Sequence, residues 1–337
     1  MKIDVFCHIL PPAFYNRMTQ ISTRGAFMQK RVRAIPVILD LDERFRVMDL
    51  FGDYRQVLSL ATPPIEALAG PNDTPELARI ANDGMAEIVA KHPDRFPGFI
   101  ASLPMNNPEA SLQETERALT DLGATGIMVY TNSNGLPIDD PAYLPLFERM
   151  HRADLPIWLH PIRSAAFSDY ASEKTSKLEM WWVFGWPYET SVAMGRIVFA
   201  GYFDRFPGIK IITHHMGGMA PYFAGRIGPG LDQLGARTDD EDLTLYAKRL
   251  AHRPFDYFKM FYADTALFGV RPAIECGLEF FGADRVLFAS DMPFDPEKGP
   301  MFIRETIRNL NEMSLSDADR QKIFEGNARR IMRLNGV

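Results

Sequence analysis

Cysteine is scarce in this 337-residue chain: Cys7 and Cys276 are the only two, and they form no Cys-x-x-Cys pair. A disulfide scaffold and a cysteine-cornered metal site are therefore excluded. Long apolar runs are missing too. Asp, Lys, Arg or Pro interrupts every hydrophobic stretch well short of the roughly 20 residues of a membrane span. There is no basic excess, since 37 Lys and Arg face 43 Asp and Glu for a net charge of -6. A nucleic-acid-binding face is not expected from that balance. The opening MKIDVFCHILPP is too short for a secretory core and has no small-residue cleavage site after it. These absences predict a soluble, cytoplasmic protein with no membrane and no nucleic-acid partner.

What is present is a recurrent short apolar run. Eight occur, at 3–8, 56–60, 98–103, 126–130, 156–160, 209–214, 259–263 and 285–290. Each has the length of a buried strand, and most are almost continuously apolar, as strands covered on both faces are. Segments 75–92, 108–122, 144–153 and 314–334 read as helices. Asn106-Asn107 can cap the second of these, and Pro108 suits its first turn. Alternating strands and helices predict an α/β fold, a distorted (β/α)8 TIM-type barrel, as one domain over 1–337. The rival, a doubly wound open sheet, lacks a glycine-rich dinucleotide loop after the first strand. Three long connections, near 9–40, 161–190 and 216–257, would each follow a strand and lie over the C-terminal face. The second holds Trp181, Trp182 and Trp186, three of the four tryptophans. They either pack that segment onto the barrel or line a pocket suited to an aromatic ring, with Trp186 the candidate substrate contact.

Polar residues stand at the ends of these runs. His8 ends the first, His160 the fifth, His214-His215 the sixth, and Asp291 follows the eighth, so four of the seven histidines share one level of one barrel. Imidazoles and a carboxylate converging on one mouth suit a divalent ion such as Zn²⁺ or Mn²⁺. On a regular strand neighbouring side chains face opposite sides, so only one of His214 and His215 is expected to face the centre. Arg163 and Arg226, in the long connections, are candidates to hold a substrate carboxylate by a bidentate pair. Asp264 ends the seventh run and is expected to cap the following helix. Glu189 with Thr190 reads as a helix start, and Asp4 as a structural tie.

The opening KIDVFCHILPP resembles the first-strand motif of the amidohydrolase superfamily. WLHP at 158–161, FDRFPGIKIITHHMGG at 203–218, FGADRVLFASDMPF at 281–294 and EGNARRIM at 325–332 resemble, in order, one of its branches. That branch contains 2-amino-3-carboxymuconate-6-semialdehyde decarboxylase, γ-resorcylate decarboxylase and 5-carboxyvanillate decarboxylase. The resemblance implies a (β/α)8 barrel, one divalent metal (Zn²⁺ first, Mn²⁺ second) and nonoxidative decarboxylation of an aromatic or muconate-like carboxylic acid. It implies a small-molecule carboxylate substrate and a homo-oligomer, a dimer or a tetramer. By position, His8, His160 and Asp291 would be the metal ligands. His215, which opens the HMGG segment, would be an acid or base beside them, with Asp291 also able to carry the proton. His214 would then turn away.

One departure stands out. The branch carries His-x-His or Glu-x-His on the first strand, and here the pair is Phe6 and His8. Phe6 cannot ligate a metal, and would give the site an apolar side against substrate. The resemblance then leaves three options: three protein ligands completed by water or substrate, weak binding, or loss of the metal. The first is favoured. A metal-dependent hydrolase or hydratase acting beside a carbonyl on a small aromatic-catabolism intermediate would use the same residues. A noncatalytic barrel is the remaining reading. Retention of His8, His160, His215 and Asp291 argues against it.

Overall fold

The computed structural model of the chain describes residues 1–21, 30–32, 34–239 and 242–334. Eight parallel strands form its centre: β1 (Lys2–Ile9), β2 (Tyr54–Leu60), β3 (Gly98–Phe99 continuing as Ala101–Ser102), β4 (Ile127–Tyr130), β5 (Ile157–His160), β6 (Ile211–Thr213), β7 (Tyr262–Asp264) and β8 (Val286–Leu287). Each overlaps one of the eight apolar runs. β1 shows why they are so apolar: seven of its eight residues are buried, because one face meets the barrel interior and the other the helices.

The strands pair in chain order and the ring closes. At Ile100, β3 passes from one neighbour to the next, donating to Leu58 O at 2.8 Å before Ala101 donates to Gly126 O at 3.0 Å. β1 meets the far end of the chain through Val5 N to Phe288 O at 3.0 Å and His8 N to Met292 O at 2.8 Å. This is a (β/α)8 barrel, as the strand–helix alternation predicts.

Helices cover the outside. Those over Thr74–Lys91, Pro108–Thr120 and Leu144–Ala153 fall where the sequence places them. Asn107 caps the second, its side-chain oxygen accepting from Ala110 N at 3.1 Å. The predicted last helix is a run of Asp317–Gln321, Lys322–Gly326 and Asn327–Met332, the middle part a π-turn. That turn matters to the barrel, because Ile323 O accepts from Phe288 N at 2.9 Å just past β8.

The long connections are not structureless. The one near 9–40 contains the helix Pro12–Ile21 and a 3₁₀ turn Pro36–Ile38; its residues 22–29 and 33 lie outside the described set. The one near 161–190 ends in helices Met180–Val183 and Gly185–Phe199. The one near 216–257 carries Ala224–Asp232, Thr244–Lys248 and Pro254–Phe258, with 240–241 undescribed. Among the described residues no helix is long and apolar enough to cross a membrane.

Candidate functional site

The strand ends deliver an imidazole cluster. His8 near the end of β1, His160 at the end of β5 and His214 just past β6 offer ring nitrogens that all lie within 4.8 Å of one another. Asp291 follows β8 and joins them: its Oδ1 is 3.0 Å from His8 Nε2 and 3.5 Å from His214 Nε2. Its Oδ2 is 3.6 Å from His215 Nε2.

Each of the three central rings is anchored on Nδ1. His8 Nδ1 lies 3.2 Å from both Leu60 O and Ser59 Oγ, His160 Nδ1 donates to Pro161 O at 2.6 Å, and His214 Nδ1 meets Asp264 Oδ2 at 2.6 Å. Anchoring at Nδ1 leaves Nε2 for the centre, which is how metal-ligating histidines are oriented. His214 Nε2 is buried and has no hydrogen-bond partner. A buried nitrogen without a hydrogen bond, facing two more imidazoles and a carboxylate 3.5 Å away, fits a divalent ion of borderline softness.

The backbone is bent to achieve this. His215 and Asp291 both sit at left-handed φ, 54° and 63°. For non-glycine residues this costs of order 1–2 kcal/mol each. Gly218 permits the turn after His215, since at φ 62° any Cβ would meet Pro187 O at 2.4 Å. From below, the fully buried Arg44 donates to the carbonyl of His8 and, at 2.6 Å, to Gln56 Oε1. Asp4 accepts from Tyr54 Oη at 2.7 Å and Ser290 N at 3.1 Å, tying β1 to β2 and to the segment before Asp291.

Charge follows from the same contacts. Burial alone would lower the pKa of His214, but the charge and hydrogen bond of Asp264, with Asp291 adding, lift it to about 9. Burial alone would raise Asp291, but His214, His215 and His8 hold it well below the usual carboxylate range. Burial and the neighbouring imidazoles push His160 well down, and burial and His214 lower His215. Two carboxylates thus create a place for positive charge, while His160 and His215 are neutral at pH 7.

A cavity of about 250 Å³ opens above the cluster, with His8, His160 and Asp291 in its lining. Trp182, Trp186, Phe268, Phe294 and Phe302 wall it, and Arg31 and Thr62 add polar groups. It is near the small end of ligand pockets, roughly 300–1,000 Å³. Arg31 is 5.5 Å from the Trp182 ring and 5.3 Å from the Phe294 ring, and it donates to Phe294 O. Trp186 Nε1 and Thr62 Oγ1 are buried without partners.

Several sequence expectations are corrected here. His214 does not turn away. Strand alternation ends with β6 at Thr213, and the left-handed turn at His215 brings both rings to the centre, 3.7 Å apart. Asp264 does not act mainly as a cap, because it is buried and accepts from His215 N at 3.0 Å while binding the His214 ring. Arg163 does not reach the cavity: it pairs with Glu189 at 2.8 Å and lines a separate hollow beside Phe167. Arg226, on the helix Ala224–Asp232, lines another hollow between outer helices. Phe6 is fully buried and packs against the His8, His160 and His214 rings without lining the cavity. Trp186 does line it. Arg31, Phe268, Phe294 and Phe302 were missed, because they lie off the strand ends and no spacing marks them.

The amidohydrolase family profile matches residues 3–334. A γ-resorcylate decarboxylase of Polaromonas sp. strain JS666 is 37% identical over 309 residues, 88% of this chain and 89% of that one. A 2,6-dihydroxybenzoate decarboxylase crystallised with 2,6-dihydroxybenzoate superposes with a TM-score of 0.79 at 29% identity, covering 99% of both chains. A dihydroxybenzoic acid decarboxylase of Polaromonas sp. JS666, solved with manganese and the inhibitor 2-nitroresorcinol, superposes at 0.78 with 30% identity, covering 100% of this chain and 98% of that one.

Proposed function

The chain belongs to the amidohydrolase family, and from that premise we propose a specific substrate class and a residue assignment for it. It is a carboxy-lyase, a metal-dependent nonoxidative decarboxylase of an aromatic or muconate-like acid. Our reading is narrower: the substrate is a single-ring benzoate with a hydroxyl beside the carboxylate, 2,6-dihydroxybenzoate being the type. The observation that carries it is the aromatic-walled cavity set directly on the histidine–aspartate cluster. Flat walls of Trp and Phe suit a ring, and the unpaired Trp186 Nε1 and Thr62 Oγ1 suit its oxygens. Similarity to decarboxylases of dihydroxybenzoates supports the same class.

His8, His160 and Asp291 would hold one divalent ion, zinc before manganese. A donor set rich in imidazole favours zinc, and the related structure with bound manganese supports the second choice. When bound, such an ion supplies positive charge to a carboxylate and its neighbouring oxygen, fixing the substrate and stabilising charge as it develops. Arg31 offers a second cation in the cavity lining. The aromatic lining excludes water from the ring.

At pH 7 Asp291 is ionised and His215 neutral, so the pair, with Oδ2 and Nε2 3.6 Å apart, relays one proton from solvent to the ring rather than storing it. A C–H bond forms at the ring carbon that bears the carboxylate. The C–C bond then breaks, its electron pair restores the aromatic ring, and CO₂ leaves. The proton gained by the ring balances the CO₂ lost, and it comes from solvent through His215, which is 8% exposed.

The barrel works as one domain. A homo-oligomer is supported by the exposed apolar side chains Phe167, Tyr170, Leu178 and Phe184 along one surface segment. Its two unpaired cysteines support a cytoplasmic place. The substrate class is tested by assaying the zinc-loaded protein on a panel of benzoates and on 2-amino-3-carboxymuconate semialdehyde. Turnover of 2-hydroxybenzoates ahead of the muconate is expected, and turnover of the muconate alone would overturn the assignment.

A further inference from the structure

We infer that His214 is a fourth protein ligand of the metal, through Nε2, held in place by Asp264, and that it replaces the ligand Phe6 cannot supply. The inference rests on the metal reading above and goes beyond it, because His8, His160 and Asp291 alone satisfy that reading.

Three observations converge on His214. First, its Nδ1 is engaged by Asp264 Oδ2 at 2.6 Å, and Asp264 cannot swing away, since Oδ1 accepts from His215 N at 3.0 Å and from Ala266 N at 3.1 Å. A carboxylate on Nδ1 keeps a proton on that side and raises the basicity of Nε2, which would exchange its own proton for the ion. Second, Nε2 is buried within a fully buried ring and makes no hydrogen bond, its nearest polar neighbour being Asp291 Oδ1 at 3.5 Å. Such an atom is expensive unless something binds it. Third, two spacings from Asp291 fit a shared ion. Asp291 Oδ1 is 3.0 Å from His8 Nε2 and 3.5 Å from His214 Nε2. Ligands about 2.1 Å from a common ion are separated by about 3.0 Å at octahedral edges and about 3.4 Å at tetrahedral ones.

Phe6 explains why this position is needed. Its ring centroid is 4.2 Å from that of His214, 4.8 Å from His8 and 5.7 Å from His160. It occupies the first-strand place beside the cluster and brings no donor atom. His214, entering from the sixth strand, brings one to the same cluster. His215 is the competitor, because His214, His215 and Asp291 also form a group of donors. Its Nε2 faces Asp291 Oδ2, the oxygen turned away from His8 and His214, which sets it beside the shell.

The test is zinc affinity by chelator competition on the purified full chain, with circular dichroism and thermal midpoints in excess chelator to verify folding. Wild type should hold one ion, and His160→Asn should lose it. His214→Asn should weaken zinc by about 100-fold or more, and Asp264→Asn, which removes only the orienting charge, by about 10–100-fold. His215→Asn should stay within about threefold of wild type, far below the change from a lost ligand or its orienting partner. If His214→Asn does not fold, Asp264→Asn decides by the same criterion. A folded His214 or Asp264 variant that binds zinc as tightly as wild type would overturn the inference and leave the decarboxylase reading standing. A wild-type chain that takes up no ion would instead remove the metal reading itself.

Discussion

Glu66 gives a prediction whose size can be worked from the structure. It lies on the short helix Ile65–Leu68 just after β2, is 3% exposed, and has no hydrogen-bond partner on either side-chain oxygen. Burial pushes its pKa from 4.5 up to about 8. Unfolding returns the carboxyl to water, where it titrates near 4.5. Below that pH both states hold the proton, and the group adds no pH dependence to stability. Between the two pKa values the unfolded chain releases its proton first, so the fold loses about 1.36 kcal/mol per pH unit. Above the higher value the loss is complete. At pH 7 the loss is of order 3 kcal/mol. Glu66→Gln keeps the volume and removes the titration. It should leave stability unchanged near pH 4.5 and raise it by a few kcal/mol at pH 7. Urea unfolding of both proteins in excess chelator at several pH values between 5 and 8.5 measures the difference directly. A difference that stays flat within about 0.5 kcal/mol over that range would refute a carboxyl kept neutral by burial.

Three further outcomes concern the site. His215→Asn should lower kcat by about 10²–10⁴-fold with metal content unchanged; turnover within tenfold of wild type would remove it from proton transfer. Arg31→Ala should raise KM for a hydroxybenzoate by about 10–100-fold, the worth of one charge-assisted hydrogen bond, and steady-state kinetics with an unchanged KM would exclude that contact. Asp291→Ala removes both the carboxylate nearest His8 and the proton carrier, so elemental analysis should find zinc depleted and CO₂ release absent; full metal content in that variant would contradict its place among the ligands.

Much of the barrel was legible because a parallel strand buried on both faces leaves a run such as KIDVFCHI or IMVY, and length separates it from a helix. His8, His160 and Asp291 were legible because barrel chemistry gathers where strands end. His214 was not. The alternation rule assumes extended backbone, and here the strand stops one residue earlier, with His215 taking up left-handed φ. Asp264 looked like a helix cap because a carboxylate at a strand end before a helix usually is one; only the fold shows it 2.6 Å from an imidazole fifty residues away. Arg163 and Arg226 were plausible by their place in long connections, but a guanidinium is positioned by its partners, and Glu189 settles where Arg163 points. Arg31 comes from the first long connection and Phe268, Phe294 and Phe302 from the chain after β7 and β8, so they come together only in the folded barrel.

The central claim is that this chain removes CO₂ from a hydroxylated benzoate with a bound divalent ion. The most direct test incubates chelator-stripped and zinc-reconstituted protein with 2,6-dihydroxybenzoate and follows CO₂ together with the aromatic product. The account expects equal amounts of CO₂ and 1,3-dihydroxybenzene from the reconstituted protein, no reaction from the stripped protein, and deuterium at the former carboxylate carbon when the solvent is D₂O. Reconstituted protein that holds its ion yet releases no CO₂ from this or any other 2-hydroxybenzoate would contradict it.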